Sequence, residues 1–245
     1  ESRPLADTEG AERPFWSPDG RRVGFFRDAM IGMPSLHSVS IEDEVVDHLS
    51  DLPPGYLYGA VWKSDETIII GLTPRTRGYG GGELHVVSEQ KGTARVFLQP
   101  MEARSESGIM YPSYMPDGKT LIYALTTLDG AGAVVARTED NYTTLIRHKG
   151  EALAFPVYSP SGHIIYQRGF PRSTGIWALP IDPETVTKTG DPFLISDTGR
   201  MPTVSVGGTL SYHIPPTGEM RQLVLVDRQG TVQDTISGPQ EEMDF

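Results

Sequence analysis

The sequence predicts an all-β fold of repeated four-stranded antiparallel units. Three observations carry that expectation: a short turn pattern that returns five times, an apolar run after each copy, and no convincing amphipathic helix. The copies are Trp16-Ser17-Pro18-Asp19-Gly20, Trp62-Lys63-Ser64-Asp65-Glu66, Tyr114-Met115-Pro116-Asp117-Gly118, Tyr158-Ser159-Pro160-Ser161-Gly162 and Val204-Ser205-Val206-Gly207-Gly208. Their first residues stand 46, 52, 44 and 46 residues apart, the length of one four-stranded blade of a β-propeller. Five blades are expected, at approximately 11–51, 57–99, 109–148, 153–197 and 200–238.

Each element follows from local chemistry. Proline presets the second position of a type I turn, Asp suits the third, and Gly accepts the positive φ that follows. The strand entering this turn carries a proline two residues before the aromatic in four copies, at Pro14, Pro112, Pro156 and Pro202. Proline donates no ladder hydrogen bond, so this strand belongs at an edge, innermost and facing the central channel. The strand leaving the turn is the most apolar of each unit: Val23 to Phe26, Ile68 to Leu72, Leu121 to Leu125, Ile164 to Tyr166 and Leu210 to Tyr212. Short apolar runs between Gly and Pro signals read as strands buried on both faces. Third strands are expected at Leu36 to Val39, Leu84 to Val87, Val134 to Arg137, Ile176 to Leu179 and Leu223 to Asp227. Fourth strands follow at Val45 to Leu49, Ala94 to Leu98, Thr143 to Ile146, Phe193 to Ile195 and Val232 to Ile236. The glycine cluster Gly78 to Gly82 falls between the second and third strands of the second unit and accounts for its extra length.

The ends read as unfinished units. Leu5-Ala6-Asp7 stands before Trp16 as Leu49-Ser50-Asp51 stands before Trp62, and Phe245 falls where Phe155 stands in its own unit. The expectation is one domain over 1–245, a slice of a propeller of about six blades.

Composition narrows the function. The 27 Gly and 20 Pro punctuate many short strands, and 38% apolar with 22% charged residues is ordinary for a globular domain. A net charge of −11 repels phosphate backbones, so nucleic acid is excluded as an expected partner. Without cysteine there are no disulfides, thiolate metal sites or thiol nucleophiles. No stretch is long enough to cross a bilayer, so no membrane insertion by this segment is expected.

Catalytic motifs are missing: there is no G-x-S-x-G, H-E-x-x-H, EF-hand or P-loop pattern. Catalytic residues, metal ligands and cofactors are therefore all expected to be none. His37, His48, His85, His148, His163 and His213 fall at different places in different blades, without ligand spacing. Asp19, Asp65 and Asp117 are assigned to their turns. Trp16, Trp62, Tyr114 and Tyr158 recur at one position and are assigned to packing between blades. What varies is the residue at the start of each innermost strand: Arg13, Gly59, Tyr111, Phe155 and Met201. Changing size and polarity at a repeated position suits a channel mouth that touches a ligand or protein, and Tyr56 and Tyr58 join it as neighbours. The candidate binding residues are thus Arg13, Tyr56, Tyr58, Tyr111, Phe155 and Met201.

The run from Arg13 to Phe25, repeated at Pro112 to Tyr123, closely resembles the WD-like Pro-Asp repeat of TolB-like β-propellers. Units two and five depart from it, with Glu66 for Gly and Val206-Gly207 for Pro-Asp. The segments Tyr158 to Tyr166, Trp177 to Asp182, Thr189 to Pro192 and Leu225 to Gly230 are similar to the propeller that follows bacterial eukaryotic-like Ser/Thr kinases. That resemblance implies an extracytoplasmic, non-catalytic sensor or binding module; none of the kinase's own motifs occurs here. The alternative is the gating propeller of a prolyl-oligopeptidase-like hydrolase whose catalytic machinery lies outside this chain.

Overall fold

The computed structural model describes residues 4–29, 33–63, 66–75, 81–88, 92–170 and 175–214, and the backbone of 224–226 and 232–235. The first sheet is β1 (Glu12–Trp16), β2 (Arg22–Arg27), β3 (Ser35–Ser40) and β4 (Val46–Asp51), hydrogen-bonded in that order. The second is β5 (Gly55–Trp62), β6 (Thr67–Pro74), β7 (Glu83–Ser88) and β8 (Arg95–Leu98). The third is β9 (Glu106–Tyr114), β10 (Leu121–Thr127), β11 (Ala131–Arg137) and β12 (Tyr142–Lys149). In the fourth, β13 (Ala152–Ser159), β14 (His163–Phe170) and β15 (Ile176–Asp182) are followed by a split outer strand. There both β16 (Thr187–Lys188) and β17 (Phe193–Ser196) pair with β15. All pairings are antiparallel, and helix among the described elements is limited to a 3-10 turn at Glu102–Arg104.

The fifth unit differs from the expected four-stranded blade. Its described strands form two hairpins, β18 (Arg200–Val204) with β19 (Leu210–His213), and β20 (Val224–Val226) with β21 (Val232–Thr235). The first belongs to the compact unit Glu1–His213 and the second to the unit Ile214–Phe245. The expected strand ends Leu223, Asp227 and Ile236 lie outside the described residues, as do Ser64, Asp65, Gly78 to Gly80 and Phe245.

The turns form as their residues dictate. Gly20, Gly118, Gly162 and Gly208 have φ of 69°, 62°, 79° and 85°, and each donates its N–H back to the carbonyl three residues earlier. The Asp117 carboxylate accepts from the N–H groups of Lys119 and Thr120 at 2.9 Å and from the Thr120 hydroxyl at 2.6 Å. Burial works against its charged form, but these bonds prevail and hold its pKa below the usual value. Asp19 likewise accepts from the Ser17 hydroxyl and the Arg21 N–H. Glu66 occupies the glycine position at φ 62°, so the second unit already carries a side chain in the left-handed region. Gly118→Val is therefore expected to lower the melting temperature more than Glu66→Val. It introduces the whole penalty of a β-branched residue there, about 1–3 kcal/mol. Equal melting temperatures for the two variants contradict this account of the turn.

Strand alternation builds the core between sheets. On β6, Ile68, Ile70 and Leu72 face the first sheet's Phe26, Leu36 and Leu49, whereas Ile69 packs with Leu121, Tyr123 and Leu125 of the third. On β10, Ile122 turns the other way, toward Ile164, Tyr166 and Leu179 of the fourth sheet. A middle strand must therefore be apolar on both faces, and these side chains are buried. The innermost strands lie beside one another in succession, β1 against β5, β5 against β9, β9 against β13 and β13 against β18, which makes them the hub of a β-propeller.

Candidate functional site at the hub

Every innermost strand of the compact unit 1–213 carries one extra residue. Glu12 pairs with Phe26 and Phe15 with Gly24, so three steps on β1 match two on β2. The same slip occurs between Leu57 and Ala60, Met110 and Ser113, Ala154 and Val157, and Arg200 and Thr203. These are β-bulges at one repeated place. In each, one residue enters the left-handed region: Arg13 at φ 52°, Gly59 at 83°, Tyr111 at 54°, Phe155 at 51° and Met201 at 52°. Four of them are not glycine, each at a backbone cost of about 1–3 kcal/mol. The proline that follows four of them falls within the bulge, where its missing N–H costs no ladder bond.

The bulges gather the expected site residues unequally. Tyr58, Tyr111 and Phe155 come together from three strands: Tyr58 meets Tyr111 edge-on at 5.7 Å between ring centroids, and Tyr111 lies 4.2 Å from Phe155. Met110, Ala124 and Ala154 complete the cluster. A Cβ placed on Gly59 would stand 3.5 Å from the Tyr111 Cα, so the second sheet approaches Tyr111 with bare backbone. Tyr111 is only 6% exposed and is the floor of this cluster, whereas Tyr56, Tyr58 and Phe155 are half-buried. Arg13 is exposed, and Met201 is 54% exposed with its backbone N–H donated to Gln167 Oε1 at 2.9 Å.

Electrostatics ties Arg13 to the aromatics. Burial raises the pKa of the Tyr111 and Tyr58 phenols, and the Arg13 guanidinium pulls both the other way. Both phenols are consequently neutral donors at ordinary pH.

Other polar groups are spent on structure. His85 Nε2 bonds Glu83 Oε1 at 2.9 Å in a buried pair, and the Gln99 amide donates to the second Glu83 oxygen. This partnership joins residues 16 apart and was not visible in the sequence pattern. His37 stacks on Phe25 at 5.5 Å and bonds the Ser35 hydroxyl. Among the described residues, no group of three or more His, Asp or Glu could hold a metal ion. A cleft of about 430 Å³ between the first two sheets is bordered by the turn residues Ser17 and Asp19, with Arg22 stacked on Trp62 at 4.9 Å. The repeated aromatics do not all serve packing: Trp62 is 5% exposed against the first sheet, but Trp16 is 62% exposed. No earlier sheet stands among the described residues to cover Trp16.

Repetition of antiparallel sheets around bulged innermost strands defines a β-propeller domain. No family model and no curated protein matches the chain. Solved structures do. TolB from Acinetobacter baumannii is 14% identical with a TM-score of 0.63, the match covering 95% of this chain and 55% of that one. A protein assigned as TolB from Agrobacterium tumefaciens is 18% identical with a TM-score of 0.55, covering 95% of this chain and 83% of that one. A prolyl endopeptidase structure is 13% identical with a TM-score of 0.52, covering 94% of this chain but 35% of that one. At these identities the likeness is one of fold: the chain shares the β-propeller fold with these proteins. Among the described residues, no helix is long and apolar enough to cross a membrane.

Proposed function

We propose that this chain is a non-catalytic binding or sensor module that recognises a protein or small ligand at its hub. In this reading it serves an extracytoplasmic part of a bacterial signalling protein such as a Ser/Thr kinase. The observation that carries the reading is the bulge row. Five innermost strands keep the same left-handed bulge, four of them with a non-glycine residue there, yet the residue differs in each: Arg13, Gly59, Tyr111, Phe155 and Met201. Strain kept at one repeated place while the side chain varies is the mark of a recognition surface more than of packing. For a ligand found by a thermal-shift screen, Phe155→Ala is expected to weaken binding tenfold or more. Arg95→Ala, on the exposed outer strand β8, leaves binding unchanged. A footprint on the outer strands, or turnover of any substrate by this chain, contradicts the proposal.

A second reading has its own support. The prolyl endopeptidase match covers nearly all of this chain within a much longer protein, as expected of a gating propeller attached to a hydrolase. The reading frame around this chain separates the two: a kinase domain and membrane helix upstream support the sensor, and a G-x-S-x-G domain downstream supports the hydrolase.

A further inference from the structure

The hub carries a charge opposite to that of the chain. Net charge is −11, yet the one formally charged residue in the bulge row is Arg13. It is exposed and, unlike Arg147, Arg168 and Lys188, which pair with Asp129, Glu151 and Asp191, it meets no carboxylate partner among the described residues. Beside it the second blade presents Gly59, so no side chain rises from that bulge position between Arg13 and the Tyr111 side of the hub. Beyond stand the rings of Tyr58, Tyr111 and Phe155, each within 6 Å of the next.

Resting on the hub reading above, we propose that the ligand is a small monocarboxylate with an aromatic or branched apolar body. Its carboxylate pairs with the Arg13 guanidinium and accepts from the Tyr58 phenol, and its body lies on Tyr58 and Phe155 above the buried Tyr111. A guanidinium fork matches a carboxylate in shape and charge. Burial keeps the phenols protonated and able to donate. One arginine against a field of −11 favours a singly charged head over polyanions, which the rest of the surface repels. Half-buried aromatic faces, with the exposed Met201 thioether on the next blade, provide the apolar seat.

The test uses phenylacetate, phenylacetamide and phenethylammonium as probes, titrated into the chain with the ring resonances of Tyr58, Tyr111 and Phe155 followed by NMR. Phenylacetate is expected to move these resonances and to bind at least tenfold more tightly than the amide, the ammonium probe being weakest. Raising the salt concentration narrows the gap between acid and amide. Arg13→Gln brings the acid down to the amide's affinity and leaves the amide unchanged, whereas Arg13→Lys retains part of the preference. Circular dichroism confirms that both variants fold. Equal affinity for acid and amide at these resonances, or undiminished acid binding by Arg13→Gln, overturns the carboxylate inference and leaves the hub as a binding surface. Failure of phenylacetate to move them also overturns it, and a footprint away from the hub overturns both readings.

Discussion

Tyr166→Ala is expected to lower stability by about 3–5 kcal/mol, the loss typical of a large aromatic deleted from a core. Tyr166 is fully buried between the third and fourth sheets, among Ile122, Val134, Leu153 and Leu179. Truncation leaves a cavity at an interface whose two walls are separate rigid sheets, and rigid walls collapse poorly onto a void. The hydroxyl contributes little. It has no hydrogen-bond partner among the described groups, and burial pushes the phenol's pKa up to about 12. Tyr166→Phe is therefore expected to be neutral or slightly stabilising, since it removes a buried polar group without breaking a bond. Phe97→Ala on β8, where the ring is 49% exposed, is expected to cost under about 1 kcal/mol. Urea unfolding of the three variants checks the order. A Tyr166→Phe loss close to that of Tyr166→Ala would show that the hydroxyl is bound.

Gly132→Ala is expected to destabilise by about 1–3 kcal/mol, and Gly132→Val by more. A Cβ at Gly132 would stand 2.4 Å from the Glu151 carbonyl oxygen, 2.7 Å from the Leu153 nitrogen and 3.0 Å from the Ala152 Cα. All three are backbone atoms where β13 begins, so no side chain can swing aside and the fourth sheet must shift. Two residues away, Gly130 is glycine for another reason: its φ is 76° and nothing lies within 4 Å of a Cβ. Gly130→Ala thus bears only the conformational cost. Hydrogen exchange distinguishes the two cases. Amides of residues 152–154 are expected to exchange faster in Gly132→Ala and to stay unchanged in Gly130→Ala.

The sheets were legible because their signals are local. A turn with Pro, Asp and Gly closes over five residues, and a run such as Ile68 to Leu72 declares both faces apolar without reference to anything distant. The fifth unit, with Val206-Gly207 in place of Pro-Asp, still closes its hairpin because Gly208 supplies the positive φ at 85°. The bulges were not legible, and the sequence pointed away from them. A residue before proline is biased toward extended backbone, so Arg13, Tyr111, Phe155 and Met201 read as plain strand positions. Their positive φ is imposed by the neighbouring strand's register.

Variation between blades did mark the hub row as distinct, but it could not say which members meet. Tyr58, Tyr111 and Phe155 touch because three strands converge, a tertiary fact, and the same convergence buries Tyr111 where an open mouth was expected. Trp16 and Trp62 make the complementary case: identical residues in identical repeats differ in exposure, because what covers them is another sheet.

The bulge row also bears on how such a protein can change. At positions 13, 59, 111, 155 and 201 the backbone path is the same whether the residue is Arg, Gly, Tyr, Phe or Met. Architecture there is thus insulated from side-chain identity. A single nucleotide change can rewrite one contact at the hub without an insertion, a loop rearrangement or a shift in strand register. Descendants of one such propeller can diverge in what they recognise while their folds stay superimposable, and selection can test the five positions one at a time.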